Sequence, residues 1–289
     1  MRTSKFGYIF TILKIGFLLF IVVITLYPFL NMIAVSLSKD IYILRNQIGI
    51  IPKGLNFNTY KTVLKDTRIL KSYYNTIVYV VLGTSIALSV TAAAAFALSS
   101  PKLPFRKGFT LMIVFTMFFG GGMIPTYLVV KSLKMIDTIW AVIIPGSIST
   151  WNIILMRSFF SAIPKELGES ARMDGLKDIG VFWYIILPLS KAALSTIGLF
   201  YAVGYWNSFM GPFIYLTKPD KYPLQVILRQ IVIANEYIGD VTGISGDTLI
   251  IPEALKFATI VVSTLPIICV YPFLQKHFVK GIMLGAVKG

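Results

Sequence analysis

The stretch Ile163–Ser190 reads IPKELGESARMDGLKDIGVFWYIILPLS and sets charged residues, glycines and prolines at close spacing inside a strongly apolar chain. Pro164 is suited to open a helix, and Glu166 and Glu169 fall in its first turns, where the positive end of the macrodipole favours them. Gly168 weakens that helix slightly, and Ala171 keeps one side of it small. Gly175 follows Asp174 where a helix can end in a left-handed residue. Beyond it, Gly180 and the aromatic run Phe182, Trp183 and Tyr184 lead to Pro188, whose missing N–H marks a further break. The spacing predicts a short polar helix, a tight turn and a second helix. An ordinary interfacial loop fits the same residue chemistry.

The surroundings fix the solvent in which this segment works. The chain has 289 residues, 56% hydrophobic and 13% charged, with a mean hydropathy of +0.78, which excludes an ordinary soluble domain. Apolar runs of about 18 residues cross a bilayer core of roughly 30 Å. We read an all-α membrane protein with 1–289 as a single transmembrane domain. Six spans are expected, near 15–37, 73–98, 109–130, 139–156, 192–216 and 255–275. Residues 161–190 form a loop on one side and 217–253 a loop on the other. The first span is too long for a signal-peptide core and lacks a small-residue cleavage site, so it is read as a retained helix. Thr91–Ser100, TAAAAFALSS, would let a neighbouring helix approach closely, and Gly120–Pro125, GGGMIP, interrupts the third span.

Other classes lack their chemistry. The single Cys269 has no partner for a disulfide and sits in an apolar setting that suits packing, and the single His277 cannot build a metal site. The net charge of +15 is scattered through loops and helix ends without a nucleic-acid motif, so contact with lipid headgroups accounts for it and no nucleic-acid partner is expected. None of the six expected spans holds Asp or Glu. An ion-coupled carrier or channel would need such a group or a broken-helix cation site, which disfavours that alternative. A membrane enzyme has still less to build from. No GxxxxGK[ST] sequence occurs, so ATP must be handled elsewhere. Basic residues are nearly balanced between the two sides, and only the N-terminus and Ser100–Gly108, SPKLPFRKG, place both termini inside.

Spacing adds a resemblance. Glu169-Ser170-Ala171, Gly175 four positions on and Ile185-Ile186-Leu187-Pro188 resemble the EAA motif of ABC importer permeases, E-A-A, three residues, G, nine residues, I-x-L-P. The departure is Ser170 in place of alanine, and Asp174 also suits the pattern. The resemblance runs from the second span to the end and is closest to the carbohydrate-uptake branch that includes the maltose permeases. It implies a type I ABC importer permease fold in which the EAA segment is a cytoplasmic coupling helix seated on an ATPase subunit. Glu169, Ser170, Ala171, Asp174 and Gly175 then belong at that contact, with Leu187 and Pro188 joining it to the fifth span. The implied partners are a second homologous permease, two ATPase subunits and an extracytoplasmic solute-binding protein. ATP and Mg would reside on the ATPase, with no cofactor and no metal on this chain. The expected location is the bacterial cytoplasmic membrane, multi-pass, with both termini cytoplasmic.

Aromatic rings beside amides suit sugars, whose apolar faces are ringed by hydroxyls. Trp151, Asn152, Tyr205, Trp206 and Asn207 are therefore candidates for a substrate path, although aromatics in spans also serve packing and interfacial belts. In the loop after the fifth span, PLQVILRQIVIANEY predicts an amphipathic helix. There, Gly243, Ser245, Gly246 and Asp247 read as an exposed turn, which the resemblance directs towards the binding protein. The GGGMIPTYLVV and YAVGYWNSF text resembles permeases for complex oligosaccharides, some bearing uronic acids, and basic residues such as Lys53, Lys61 and Arg68 would suit an acidic ligand.

Overall fold

The structure, a computed structural model, describes residues 5–237 and 253–269, and every described element is helical or a connecting turn. The helices are α1 (Lys5–Ser36), α2 (Asp40–Leu44), α3 (Asn58–Lys65), α4 (Thr67–Ser99), α5 (Arg106–Phe118), α6 (Met123–Ser132) and α7 (Ile139–Ile143). They continue with α8 (Thr150–Ser161), α9 (Lys165–Met173), α10 (Asp178–Leu189), α11 (Lys191–Trp206), α12 (Met210–Tyr215), α13 (Leu224–Tyr237) and α14 (253–269). Two compact units result. Among the described residues, one comprises 5–69, 228–237 and 253–265, and the other 70–227 and 266–269.

Among the described residues, two helices suffice by length and composition to cross a membrane, Phe10–Ser36 and Thr67–Ser99, and up to four if each of two bent pairs counts as one span. Three expected spans are broken, each at a residue that disrupts the helical ladder. The interruption expected at Gly120–Pro125 is there: within 109–130, α5 and α6 meet at 115° across Gly120–Gly122, and Gly122 has φ +84°. In place of 139–156, α7 stops before Pro145 and Gly146, and α8 restarts at Thr150 with the Ser149 hydroxyl accepting the Asn152 N–H. In place of 192–216, the chain breaks after Trp206, because the ring of Pro212 would meet the carbonyl of Ser208 in a continuous helix. The sixth is helical over 253–269, with the rest of its expected range and His277 outside the described residues. Cys269 is exposed where packing was expected.

The unit containing Leu70–Ile227 is organised on α4. Its small face, Ala87, Ala92 and Ala95, is buried with Met156 and Phe160 of α8 and Ile197, Tyr201 and Tyr205 of α11. Small residues let helices approach closely where lipid removes the hydrophobic driving force between them. The Thr91 and Tyr201 hydroxyls close this contact with a 2.7 Å hydrogen bond. In the other unit, Val35, Ile43 and Ala254 share a small core, and Asn31 Nδ2 donates to the carbonyls of Ile48 and Gly49.

Candidate functional site

The α9–α10 segment folds as its local chemistry dictates. Pro164 holds an extended conformation before α9, with Glu166 in the first turn. The helix ends in a full Schellman arrangement. Gly175 (φ +90°) donates its N–H to the Arg172 carbonyl at 3.0 Å, and Leu176 donates to the Ala171 carbonyl at 3.0 Å. Leu176 packs against the same core as Ala171, which supplies the apolar contact that accompanies this cap. Arg172 reaches across the turn to Asp178, at 3.0 Å from Nε and 2.9 Å from Nη2. In α10, residues Phe182–Ile186 form a π turn immediately before Pro188. The wider turn accommodates a proline ring that would clash with the Tyr184 carbonyl in a regular helix. After Ser190 the chain turns by 84° into α11.

Two sides of α9 face different surroundings. Leu167, Ser170 and Met173 are exposed, Met173 at 88%. Lys165, Gly168, Glu169 and Arg172 line a cavity of about 310 Å³ shared with Ser99–Lys102, Arg106 and the Ser161–Pro164 connection. Of the motif residues, Glu169, Ser170, Asp174, Gly175 and Pro188 are exposed, while Leu187 is half-buried against the core. Ala171, at 6% exposure, packs into its own chain's core, so its small side chain seats α9.

A second cavity, about 460 Å³, opens among α7, α8, α11 and α12, lined by Ser149, Asn152, Tyr201, Tyr205 and Pro212 among others. Its lining contains no charged residue. It brings Asn152 and Tyr205 together, but Trp151, Trp206 and Asn207 do not line it. Trp151 is 62% exposed, Trp206 meets Tyr73 edge-on at 6.4 Å, and Asn207 caps α11 in an exposed position. Tyr205 is fixed, its hydroxyl donating to the Ile143 carbonyl at 2.8 Å. Gly83 and Gly146 stand against its ring, and a Cβ at Gly83 would lie 2.7 Å from it. Single residues in the sequence carry no sign of this clamp, because the three positions are brought together by helix packing. Gly243, Ser245, Gly246 and Asp247 lie outside the described residues.

The sequence also left unnoticed a polar knot at the other end of α4. Asp137 has φ +59°, and its carboxylate accepts from the Thr217 N–H at 3.2 Å, the Lys218 N–H at 3.3 Å and Lys221 Nζ at 3.2 Å. Lys221 Nζ also donates to the Asp137 carbonyl. Burial pushes this carboxyl up, but the backbone N–H of Thr217, the Lys221 ammonium and the Lys218 N–H together hold it below its ordinary value of 3.8. Asn75 of α4 donates to the carbonyls of Asp220 and Tyr222, and Tyr79 to that of Lys221.

Comparison with known proteins extends this geometry. Residues 3–284 match the family model described as binding-protein-dependent transport system inner membrane component. The chain is 43% identical to Protein LplC of Bacillus subtilis (strain 168), over 100% of this chain and 98% of that protein. It is 42% identical to the polygalacturonan/rhamnogalacturonan transport system permease protein YtcP of the same organism, over 97% and 99% respectively. A chain of the crystal structure of a bacterial ABC transporter involved in the import of the acidic polysaccharide alginate superposes with a TM-score of 0.89 at 34% identity, covering 96% of this chain and 99% of that one.

Proposed function

The chain belongs to the family of binding-protein-dependent transport system inner membrane components, in its carbohydrate-uptake branch, and on that premise we propose that it forms half of the translocation path of an ATP-driven oligosaccharide importer. The observation that carries the coupling part is the α9–α10 elbow. A short helix seated on the core through Ala171 and closed by Gly175 leaves Leu167, Ser170, Met173 and Asp174 exposed. Such a rigid element can pass a movement of a bound ATPase into α11. ATP and Mg act on that ATPase, and this chain supplies no catalytic group.

The remaining assignments follow from the family. An even number of spans, six in this reading, keeps both termini on one side, and by the family resemblance we take that side, with α9, to be the cytoplasmic face of the bacterial plasma membrane. A second homologous permease completes the path, two ATPase subunits drive it, and a solute-binding protein delivers the sugar to the outer loop, including Gly243–Asp247. Asn152 and Tyr205 border the part of the path in this subunit. The substrate is an acidic oligosaccharide, a fragment of a uronic-acid-bearing plant or bacterial polysaccharide. Two relatives support this, one named for polygalacturonan and rhamnogalacturonan and the other for alginate.

Co-purification of the tagged chain from membranes, followed by ATPase assays with the binding protein and oligogalacturonides or neutral oligosaccharides, tests the proposal. Recovery of a permease and an ATPase, with hydrolysis stimulated by the acidic sugars, is the expected result. Stimulation by neutral sugars alone would overturn the substrate class. Transport by the chain on its own without ATP would overturn the importer reading.

A further inference from the structure

The cavity beside α9 carries an assignment of its own. Its lining brings Lys102, Arg106, Lys165 and Arg172 together with one carboxylate, Glu169. Arg172 is already paired with Asp178, which lies outside the lining. No hydrogen bond or ion pair within the described residues engages the side chains of Lys102, Arg106 or Lys165, so Glu169 alone opposes three free cations. These groups ring a concavity of about 310 Å³, floored by Phe96, Phe160 and Val181. Its volume falls within the roughly 300–1,000 Å³ of small-ligand sites. An unfilled basic concavity with an apolar floor recognises an anion attached to an apolar body.

Its position says where such an anion comes from. The apolar helices α4 and α8 end at its rim, at Ser99 and Ser161, and α5 begins there at Arg106. One wall is α10, whose other face exposes Trp183 and Tyr184, and Phe105 stands exposed between Lys102 and Arg106. Helix ends, free lysine and arginine, and exposed Trp and Tyr together mark the level of lipid headgroups. Basic pockets between transmembrane helices at that level bind acidic headgroups.

We propose that this cavity is a phosphate site for an anionic phospholipid, with Lys102, Arg106 and Lys165 on the headgroup phosphate and the acyl chains leaving past the ends of α4 and α8. Because Lys165, Glu169 and Arg172 belong to α9, the bound lipid braces the coupling helix from the side away from Ser170 and Met173. The site rests on the geometry around α9 and uses the transport reading only for the name of that helix.

The test uses the full-length chain in nanodiscs, which expose both faces and so make the outcome independent of orientation and of transport. Phosphatidylglycerol retained against a phosphatidylcholine background is measured by native mass spectrometry for the parent, for Lys102→Gln/Arg106→Gln, and for Lys107→Gln, whose residue does not line the cavity. The double variant is expected to lower phosphatidylglycerol affinity about thirty-fold, taking each lost charge at its usual headgroup contribution. Lys107→Gln should leave it within about two-fold, and Lys102→Arg/Arg106→Lys should restore it. Melting in phosphatidylcholine alone checks that the variants are folded. Saturable displacement by inorganic phosphate would uphold the phosphate site and name the free ion as its source, whereas resistance to it upholds the lipid. Equal retention by the parent and the folded double variant would overturn the site.

Discussion

At the Asp137 end of α4 the acidic side chains bind lysines and backbone N–H groups of the same chain, whereas at the α9 end three cations and the carboxylates of Glu166, Glu169 and Asp174 have no ion partner among the described residues. Asn75 and Phe96, one at each end, lie 21 residues apart on one helix, about 30 Å. The same bundle thus finishes one end and leaves the other open. A finished end fixes the geometry between α4, α7 and α12, and an open end with a rigid backbone is what a moving partner needs. Rigidity at the open end comes from packing and capping, through Ala171 and Gly175, and leaves the charges available.

Breaking the turn at the open end should have the largest effect. Apart from its chain neighbours, nothing described lies within 4 Å of the place where a Cβ at Gly175 would stand, so the added Cβ of Gly175→Val has room. It meets a backbone at φ +90°, which costs a branched residue about 1–2 kcal/mol and redirects the chain into α10. We expect membrane levels to be unchanged and sugar-stimulated ATPase to fall by about ten-fold or more, a penalty of that size being worth one decade. Full activity in this variant would show that the geometry of the turn is immaterial.

Packing changes come next. Ala171→Leu inserts methylenes into the core under α9, and Gly83→Ala places a methyl 2.7 Å from the Tyr205 ring. Each should cost about 1–3 kcal/mol, read as a lower melting temperature in detergent. The two should differ in function. Ala171→Leu should weaken coupling, and Gly83→Ala, by displacing Tyr205 from the uncharged cavity, should alter sugar dependence. Identical functional profiles would erase the distinction between the α9 seat and the path.

How much of this was legible follows from the range of each signal. The α9–α10 elbow is punctuated locally by Pro164, Gly175 and Pro188, so the sequence announced it together with its turn. The break at Gly120–Gly122 was likewise announced by its glycines; those at Pro145 and Pro212 also carry local signals, but an apolar run scores alike whether its helix is whole or broken, and continuous spans were expected at these two prolines. Asp137 and Lys221 are 84 residues apart, and Tyr205 meets Gly83 and Gly146 through three different segments. Such pairings exist only once the helices have packed. That Ala171 also seats α9 in the core has no local signal either, since a small residue suits a partner's approach and a tight seat equally well.

At the finished end the prediction concerns pH. The folded pKa of Asp137 is depressed, so its ionised carboxylate contributes stability that is fully present above the ordinary value of 3.8 and is lost as pH falls through the depressed folded value. Asp137→Asn should therefore be less stable than the parent at neutral pH, with the difference narrowing on acidification through that window. Parallel melting curves at every pH would mean that the charge of Asp137 contributes nothing and that the knot is held by its backbone hydrogen bonds.

The smallest effect is expected where the open end does form an ion pair. Arg172 and Asp178 meet at 2.9 Å, yet the Asp178 side chain is 70% exposed. Solvent screens such a pair to about 0.2–1 kcal/mol. A double-mutant cycle with Arg172→Gln and Asp178→Asn, measured by melting in zwitterionic detergent, should return a coupling in that range. A coupling of several kcal/mol would mean that charge, and not the Ala171 seat and the Gly175 cap, holds α9 in place. In that case an ATPase or a headgroup competing for Arg172 would loosen the helix instead of bracing it. A small coupling leaves Arg172 free to exchange partners while α9 stays where its packing puts it, and only then can one helix be both a rigid lever and a charged contact surface.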